Sequence, residues 1–225
     1  MQGSVNHIQS EILLELLYKG QARFALLNTE KYPSDQFSYH LRQLVKEKYI
    51  EKSADNVYKL SSKGINSATM ISPETRKPLE QGFLAIRTVL CREVNGIEQY
   101  LVQRRKKVPF MGYLSTPGGK IMYADKVLEA AARVLRFETG LTAQLEVKGI
   151  IHMTDTLQGE IAQDKYFFVV RGDGTKGELI ENGDTGDNIW MSYEQVLSDE
   201  FRHGGLLEVI DTARGMHSWF GEYSF

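Results

Sequence analysis

The chain has 225 residues, 42% of them hydrophobic, with one cysteine and a formal net charge of −2. That supplies one or two hydrophobic cores but no uninterrupted apolar run of the roughly 20 residues that a membrane-spanning helix requires. A lone Cys91 excludes an internal disulfide and sits in an apolar run as a core residue, so a reducing, cytoplasmic setting is expected.

The opening segment, MQGSVNHIQSEILLELLYK, has charges within its apolar run and no small-residue cleavage pattern, which argues against a secretory signal. Ile8, Ile12, Leu13, Leu16 and Leu17 recur instead at helical spacing, and Gly20 stops the helix. A short apolar piece, Ala22 to Leu27, precedes Pro33-Ser34-Asp35 and the run FSYHLRQLVKEKYI, whose buried stripe is Phe37, Leu41, Leu44 and Val45. Ser34 or Asp35 is expected to cap that second long helix through an exposed backbone N–H. The segment IEKSADNVYKL, residues 50–60, reads as a hairpin turning at Asp55-Asn56, and another helix starts at Ser61 or Ser62.

Three short helices and a two-stranded wing make a winged helix over residues 1–72. Such a module presents one helix, polar on its outward face, to the major groove. Ser38, Tyr39, Arg42, Gln43 and Lys46 supply that face, while Lys52 and Lys59 on the wing are candidates for phosphate contact. Residues 1–70 carry a formal +2 and the remainder −4, a balance that neither demands nor forbids double-stranded DNA. The run Tyr39-His40-Leu41-Arg42-Gln43-Leu44, followed by Lys48-Tyr49-Ile50, resembles winged-helix transcription regulators of bacteria and archaea. The same module also serves in dimerisation or protein interaction, and both readings stand; His40 faces outward or completes the core. SPETRKPLEQ, with two prolines and four charges, reads as a linker over residues 73–81.

From residue 82 onward the pattern changes to strand, turn, helix, strands, helix, the order of an α/β sandwich around a mixed sheet. Phe83–Cys91 and Glu98–Arg104 are strands, the second running into Arg104-Arg105-Lys106-Lys107, a basic end open either to phosphate or to water. Pro117-Gly118-Gly119 then breaks the chain, its glycines expected to allow conformations closed to other residues and to turn N–H groups toward an anion. A helix follows from about Lys126, with Leu128, Ala131, Ala132 and Leu135 packing on a sheet, Glu129 paired with Arg133, and Gly140 at the exit. Strands are expected at Leu145–Met153 and Tyr166–Val170, a mobile acidic loop from Gly172 to Asn188, a brief strand at Ile189–Met191, and helices at Tyr193–Leu197 and Leu206–Met216.

Residues 119–141 resemble the Nudix box, G-x5-E-x7-R-E-U-x-E-E-x-G-U with U aliphatic. Gly119, Arg133, Leu135, Glu138, Gly140 and Leu141 match it; Asp125 replaces its first glutamate, and Val134 and Phe137 replace two more outright. The resemblance implies a Nudix α/β/α sandwich over residues 82–225. In active members, glutamates at the positions of 134, 137 and 138 hold divalent metal against a diphosphate and help to activate water. Those positions are i, i+3 and i+4 and are expected to share one patch. Here the patch keeps one carboxylate, Glu138, with Asp125 as a weak second ligand, too few hard oxygens for ordinary Mg or Mn chemistry. Glu138 reads equally as a helix-end ion pair, and Phe137 as a pocket floor or a packing residue. Glu178, Glu181, Asp184 and Asp187 are the acids through which the loop would restore hydrolysis.

The first function expected is therefore a homodimeric transcription regulator whose degenerate Nudix domain senses a phosphorylated or nucleotide-type metabolite through Arg104, Gly118, Gly119, Lys120 and Phe137, with no cofactor required. Nudix-related regulators sense sugar phosphates, ADP-ribose or related nucleotides, but commonly carry the winged helix after the Nudix part, whereas this chain reverses the order. The alternative is a Nudix hydrolase cleaving a nucleoside diphosphate linked to another group, with Mg or Mn held by Glu138, Asp125 and loop acids.

Overall fold

The computed structural model describes residues 6–28 and 31–225. The first five residues of the expected front domain, and residues 29–30, lie outside that description. The chain divides into two compact units, residues 1–80 and 81–225. Among the described residues no helix is long and apolar enough to cross a membrane.

In the first unit, α1 (His7–Lys19) opens with a capping box in which Asn6 and Gln9 satisfy each other's backbone N–H, and closes at Gly20. β1 (Gln21–Arg23), α2 (Phe24–Leu27) and α3 (Ser34–Lys46) follow, then β2 (Ile50–Lys52), β3 (Val57–Leu60) and α4 (Ser62–Ala68). The three strands form a small sheet in the order β1-β3-β2, with Asn56 at φ 57° in the hairpin turn. Its core gathers Ile8, Ile12, Leu13, Leu16, Phe37, Leu41, Leu44 and Ile50. This order of helices around a small sheet is compatible with a winged helix. The cap of α3 differs from expectation: Pro33 occupies the N-cap and no side chain caps the helix, so Ser34 and Asp35 lie inside the first turn. The expected linker also differs in part. Ser72 N–H donates to the Lys77 carbonyl, Leu79 N–H to that of Met70, and Arg76 approaches Glu15, so most of it folds back on the first unit.

The second unit contains β4 (Phe83–Val94), β5 (Ile97–Arg105), β6 (Leu114–Ser115), β7 (Gly118–Lys120), α5 (Val127–Thr139), β8 (Thr142–Leu157), β9 (Glu160–Lys176), β10 (Gly186–Ser192), α6 (Tyr193–Ser198), α7 (Leu206–Arg214) and β11 (Phe220–Ser224). The sheet runs β10-β5-β4-β9-β8-β11, with β6 on β5 and β7 on β4. The β4–β9 and β8–β11 pairs are parallel and the others antiparallel, so the sheet is mixed. Alternation along β4 serves both faces: Ile86 and Leu90 pack with α5, while Ala85 and Val89 pack with α6 and α7. The result is an α/β/α sandwich. Cys91 lies in this core, where burial pushes its thiol up to about 12.

Three expectations are corrected. Leu128 and Ala132 are exposed, and the packed stripe of α5 is Ala130, Ala131, Val134 and Leu135. The strands β8 and β9 extend well beyond their apolar centres, joined by a tight turn in which Gln158 and Gly159 both have positive φ. The expected loop therefore shortens to residues 177–185, and β11 is an additional edge strand.

Candidate functional site

The Gly118-Gly119 turn is built for close approach. Neither glycine has positive φ, so the unusual backbone conformations expected there are not used. Both instead pair with β4. A Cβ on Gly118 would stand 2.4 Å from the Ile86 carbonyl oxygen, and one on Gly119 would stand 2.9 Å from a Val134 methyl. Gly118→Ala is expected to cost about 1–3 kcal/mol through this collision. A thermal melt unchanged from wild type would show that β7 yields freely.

Beyond the turn, Asp125 accepts a hydrogen bond from Met122 N–H at 2.9 Å and another from the Arg133 guanidinium. The backbone bond first, and then Arg133, hold its carboxyl below the ordinary aspartate value. Arg133 is thus the partner of Asp125 rather than of Glu129, which pairs with Lys126 at 3.2 Å.

The expected three-residue patch splits. Positions i+3 and i+4 lie about 100° apart around a helix axis. Val134 and Glu138 turn inward, at 6% and 7% exposure, whereas Phe137 is 73% exposed and is neither core nor an enclosed pocket floor. Glu138 is committed to the protein: its Oε2 accepts from Gln103 Nε2 at 3.0 Å and from the Thr185 hydroxyl. Its main-chain carbonyl accepts from Asn188 Nδ2 at 2.8 Å, and Ile180 N–H donates to the Thr139 carbonyl at 2.9 Å. These bonds dock the acidic loop on the end of α5, while Glu178, Glu181 and Asp184 stay exposed. Among the described residues no group of three or more His, Cys, Asp or Glu side chains is arranged to hold a metal. A magnesium or manganese ion asks for several hard oxygens around an open shell. An enclosed carboxylate flanked by valine and an outward phenylalanine does not fit that demand.

Other expected contacts with a phosphate are engaged internally. Arg104 bonds Asp199 at 2.6 Å and the Gly112 carbonyl at 3.0 Å. Lys106 pairs with Asp187 at 2.5 Å, and Lys120 Nζ sits 5.2 Å from the centre of the Phe83 ring.

A second group of polar residues, on the opposite face of the sheet, was not expected. Arg87 donates to Ser115 Oγ at 2.6 Å and to the Thr116 carbonyl at 3.1 Å, and its guanidinium lies over Phe167. Burial, followed by the charge of Arg105, pulls Arg87 down to about 10. Lys165 forms an ion pair with Asp155, the two side chains being 3% and 1% exposed, and also bonds Gln163 Oε1 at 3.1 Å. The other Asp155 oxygen lacks a hydrogen-bond partner and lies 3.7 Å from His203 Nε2. Phe110 packs edge-on against His203 at 4.5 Å. Arg87, Ser115, Thr116 and His203 line a cavity of about 10 Å³, room for about one water. The available signal was a lone charge in each of two apolar strands, Arg87 in FLAIRTVL and Lys165 before YFFVV.

Residues 84–210, more than half of the chain, match the NUDIX domain family. The chain belongs to the NUDIX family. Solved structures agree at the level of the fold. The NUDIX domain of Shewanella oneidensis NrtR, determined in complex with ADP ribose, matches with a TM-score of 0.53 and 17% identity, over 67% of this chain and 96% of that one. A NUDIX hydrolase from Nitrosomonas europaea matches with a TM-score of 0.51 and 18% identity, over 60% and 90% of the two chains. The MutT NUDIX hydrolase of Burkholderia pseudomallei gives 0.50 and 16%, over 59% and 98%.

The first unit precedes the NUDIX match. On α3, Tyr39, Arg42 and Lys46 are exposed, and Ser38 and Gln43 are half-buried. Arg42 Nε donates to the Ser38 carbonyl at 3.3 Å, and the His40 ring bonds Asn6 Nδ2. On the hairpin, Lys52 and Lys59 are exposed; Lys59 pairs with Glu51 at 3.0 Å and Lys52 lies over the Tyr58 ring.

Proposed function

We propose that this NUDIX protein is a DNA-binding transcription regulator whose NUDIX unit senses a phosphorylated or nucleotide-type metabolite without cutting it efficiently. The observation that carries the reading is the fate of Glu138. The one carboxylate left at the three box positions closes a loop onto α5 instead of facing an open shell of oxygens. Support for DNA contact comes from the first unit, whose order of elements is compatible with a winged helix and whose α3 presents Tyr39, Arg42 and Lys46 outward. Ser38 and Gln43 would complete base reading, and Lys52 and Lys59 would meet phosphate. In this reading residues 1–72 bind DNA, 73–81 connect, and 82–225 bind the effector. A homodimer would match a two-fold operator. The ADP-ribose held by the NrtR NUDIX domain supports a nucleotide-type effector.

The test is selection of genomic fragments bound by the purified full-length protein, repeated with candidate nucleotides. Replacing Arg42 and Gln43 together, with folding verified, is expected to weaken selected-site binding at least about tenfold and to relax sequence preference. Unchanged affinity and preference would remove these two residues from base reading. A second reading, a NUDIX hydrolase, is favoured by the survival of Glu138 beside exposed loop acids Glu178, Glu181 and Asp184. Rapid turnover of ADP-ribose or a related diphosphate with magnesium or manganese, abolished by Glu138→Gln, would establish it against the sensor reading.

A further inference from the structure

The C-terminal strand β11 is an edge strand that, among the described residues, pairs with β8 alone, in parallel register from Phe220–Ile150 to Ser224–Thr154. Its partner at mid-strand is unusual. His152 on β8 has a carboxylate at each ring nitrogen: Asp164 of β9 lies 2.7 Å from Nε2, and Glu222 of β11 lies 3.1 Å from Nδ1. The Tyr166 ring stacks on it at 4.2 Å with an interplanar angle of 3°. A neutral imidazole has one N–H and one lone pair, so it can satisfy only one of two ionised carboxylates. The other contact then sets lone pair against anion. Only the imidazolium donates to both.

The strand reaches further than its ladder. Phe225 N–H donates to the Thr154 carbonyl at 3.0 Å and Thr156 N–H returns a bond to Phe225 at 2.8 Å. The Phe225 ring lies so close to the chain before α7 that a Cβ on Gly204 would stand 2.6 Å from its Cγ, and one on Gly205 would stand 3.0 Å from its Cε2. His203, beside Asp155, immediately precedes these glycines and bonds the Gly204 carbonyl.

We propose that His152 is a proton-operated latch on β11: as the imidazolium it ties the strand to the sheet, and on losing its proton it frees Glu222 and loosens the Phe225 contact that braces Gly204 and Gly205, next to His203. Asp164 and Glu222 are the charged groups facing the ring from the two strands that flank β8. Burial alone would lower the basicity of His152, but the hydrogen bonds its ring donates to the two carboxylates and then their charges outweigh it and leave the ring above its ordinary value. A folded value above the unfolded one contributes stability that is fully present below about pH 6.5 and is lost as pH rises through the folded value.

The experiment is hydrogen exchange of the full-length protein between about pH 5 and pH 9, corrected for intrinsic rates, with the His152 ring titrated by NMR. Protection of the segment 219–225 is expected to fall roughly two- to fivefold, the worth of a partly exposed ion pair. The midpoint should coincide with the His152 titration, while β4 and β5 stay unchanged. Glu222 is 64% exposed, so Glu222→Gln is tolerated by the fold and should remove the pH dependence. His152→Gln should remove it as well. Protection of 219–225 that is independent of pH in the wild type, or that keeps its pH dependence in Glu222→Gln, overturns the latch.

Discussion

Replacing Asp155 with alanine is expected to destabilise the NUDIX unit by about 3–5 kcal/mol. The substitution strands the buried ammonium of Lys165, whose surroundings are already unfavourable to it: burial first, and then the charges of Arg87 and Arg105, pull its titration downward against the help of Asp155. The cost measures an uncompensated buried charge rather than the net worth of the pair. A double change, Asp155→Ala with Lys165→Met, should therefore recover most of the loss, because it removes both charges and fills the space with an apolar chain. Urea unfolding of the two variants reads this directly. Loss within about 0.5 kcal/mol of wild type in the single variant would place the ammonium in water. The acid limb supplies a second check. Burial raises the Asp155 carboxyl, but the nearby His203 ring and the hydrogen bond and charge of Lys165 outweigh it and hold the group below its ordinary value. Its stabilisation is thus present above about pH 4 and disappears as pH falls through the folded value. The double variant should lack that part of the acid dependence.

This pair also marks where the sequence stopped being legible. The helices announced themselves because their information is local: Ile8, Ile12, Leu13 and Leu16 repeat on one face before Gly20, and α5 ends at Gly140, as its αL exit requires. The turn at Asp55-Asn56 was visible for the same reason. Asp155 and Lys165 meet only through the register of a long hairpin with irregularities near Val147 and Asp155, so no spacing rule connects them. β11 joins a strand some seventy residues earlier, and FGEYS carries no periodic apolar signal to announce it. Ser34 and Asp35 looked like caps, but Pro33 takes the N-cap position and leaves both inside the first turn. The box resemblance located α5 and its missing carboxylates. It did not reveal that Glu138 turns toward β5 while Phe137 faces water, because that choice depends on Gln103, Thr185 and Asn188 brought from elsewhere in the chain.

That same choice makes Glu138 the position at which sensor and hydrolase diverge most sharply. Glu138→Ala is expected to cost about 2–3 kcal/mol, since the Gln103 amide and the Thr185 hydroxyl lose a buried charged acceptor. Hydrogen exchange in residues 177–188 should rise with it, whereas Glu138→Gln keeps an acceptor oxygen and should lose less. A carboxylate held mainly for metal would behave differently: its removal would leave the metal-free protein as stable as before, or more so, and would abolish turnover. Restoring the box gives the complementary result. Phe137→Glu should be nearly neutral for stability, because position 137 faces solvent, but Val134→Glu drives a carboxylate against Gly119 and should cost several kcal/mol, on the order of the penalty for burying an unpaired polar group. The double variant should gain no metal-dependent hydrolysis of ADP-ribose, because Glu138 remains bound to Gln103 and Thr185. Efficient turnover in that variant would mean that two side chains alone separate this protein from an enzyme, and that the clamp on Glu138 opens whenever metal is offered.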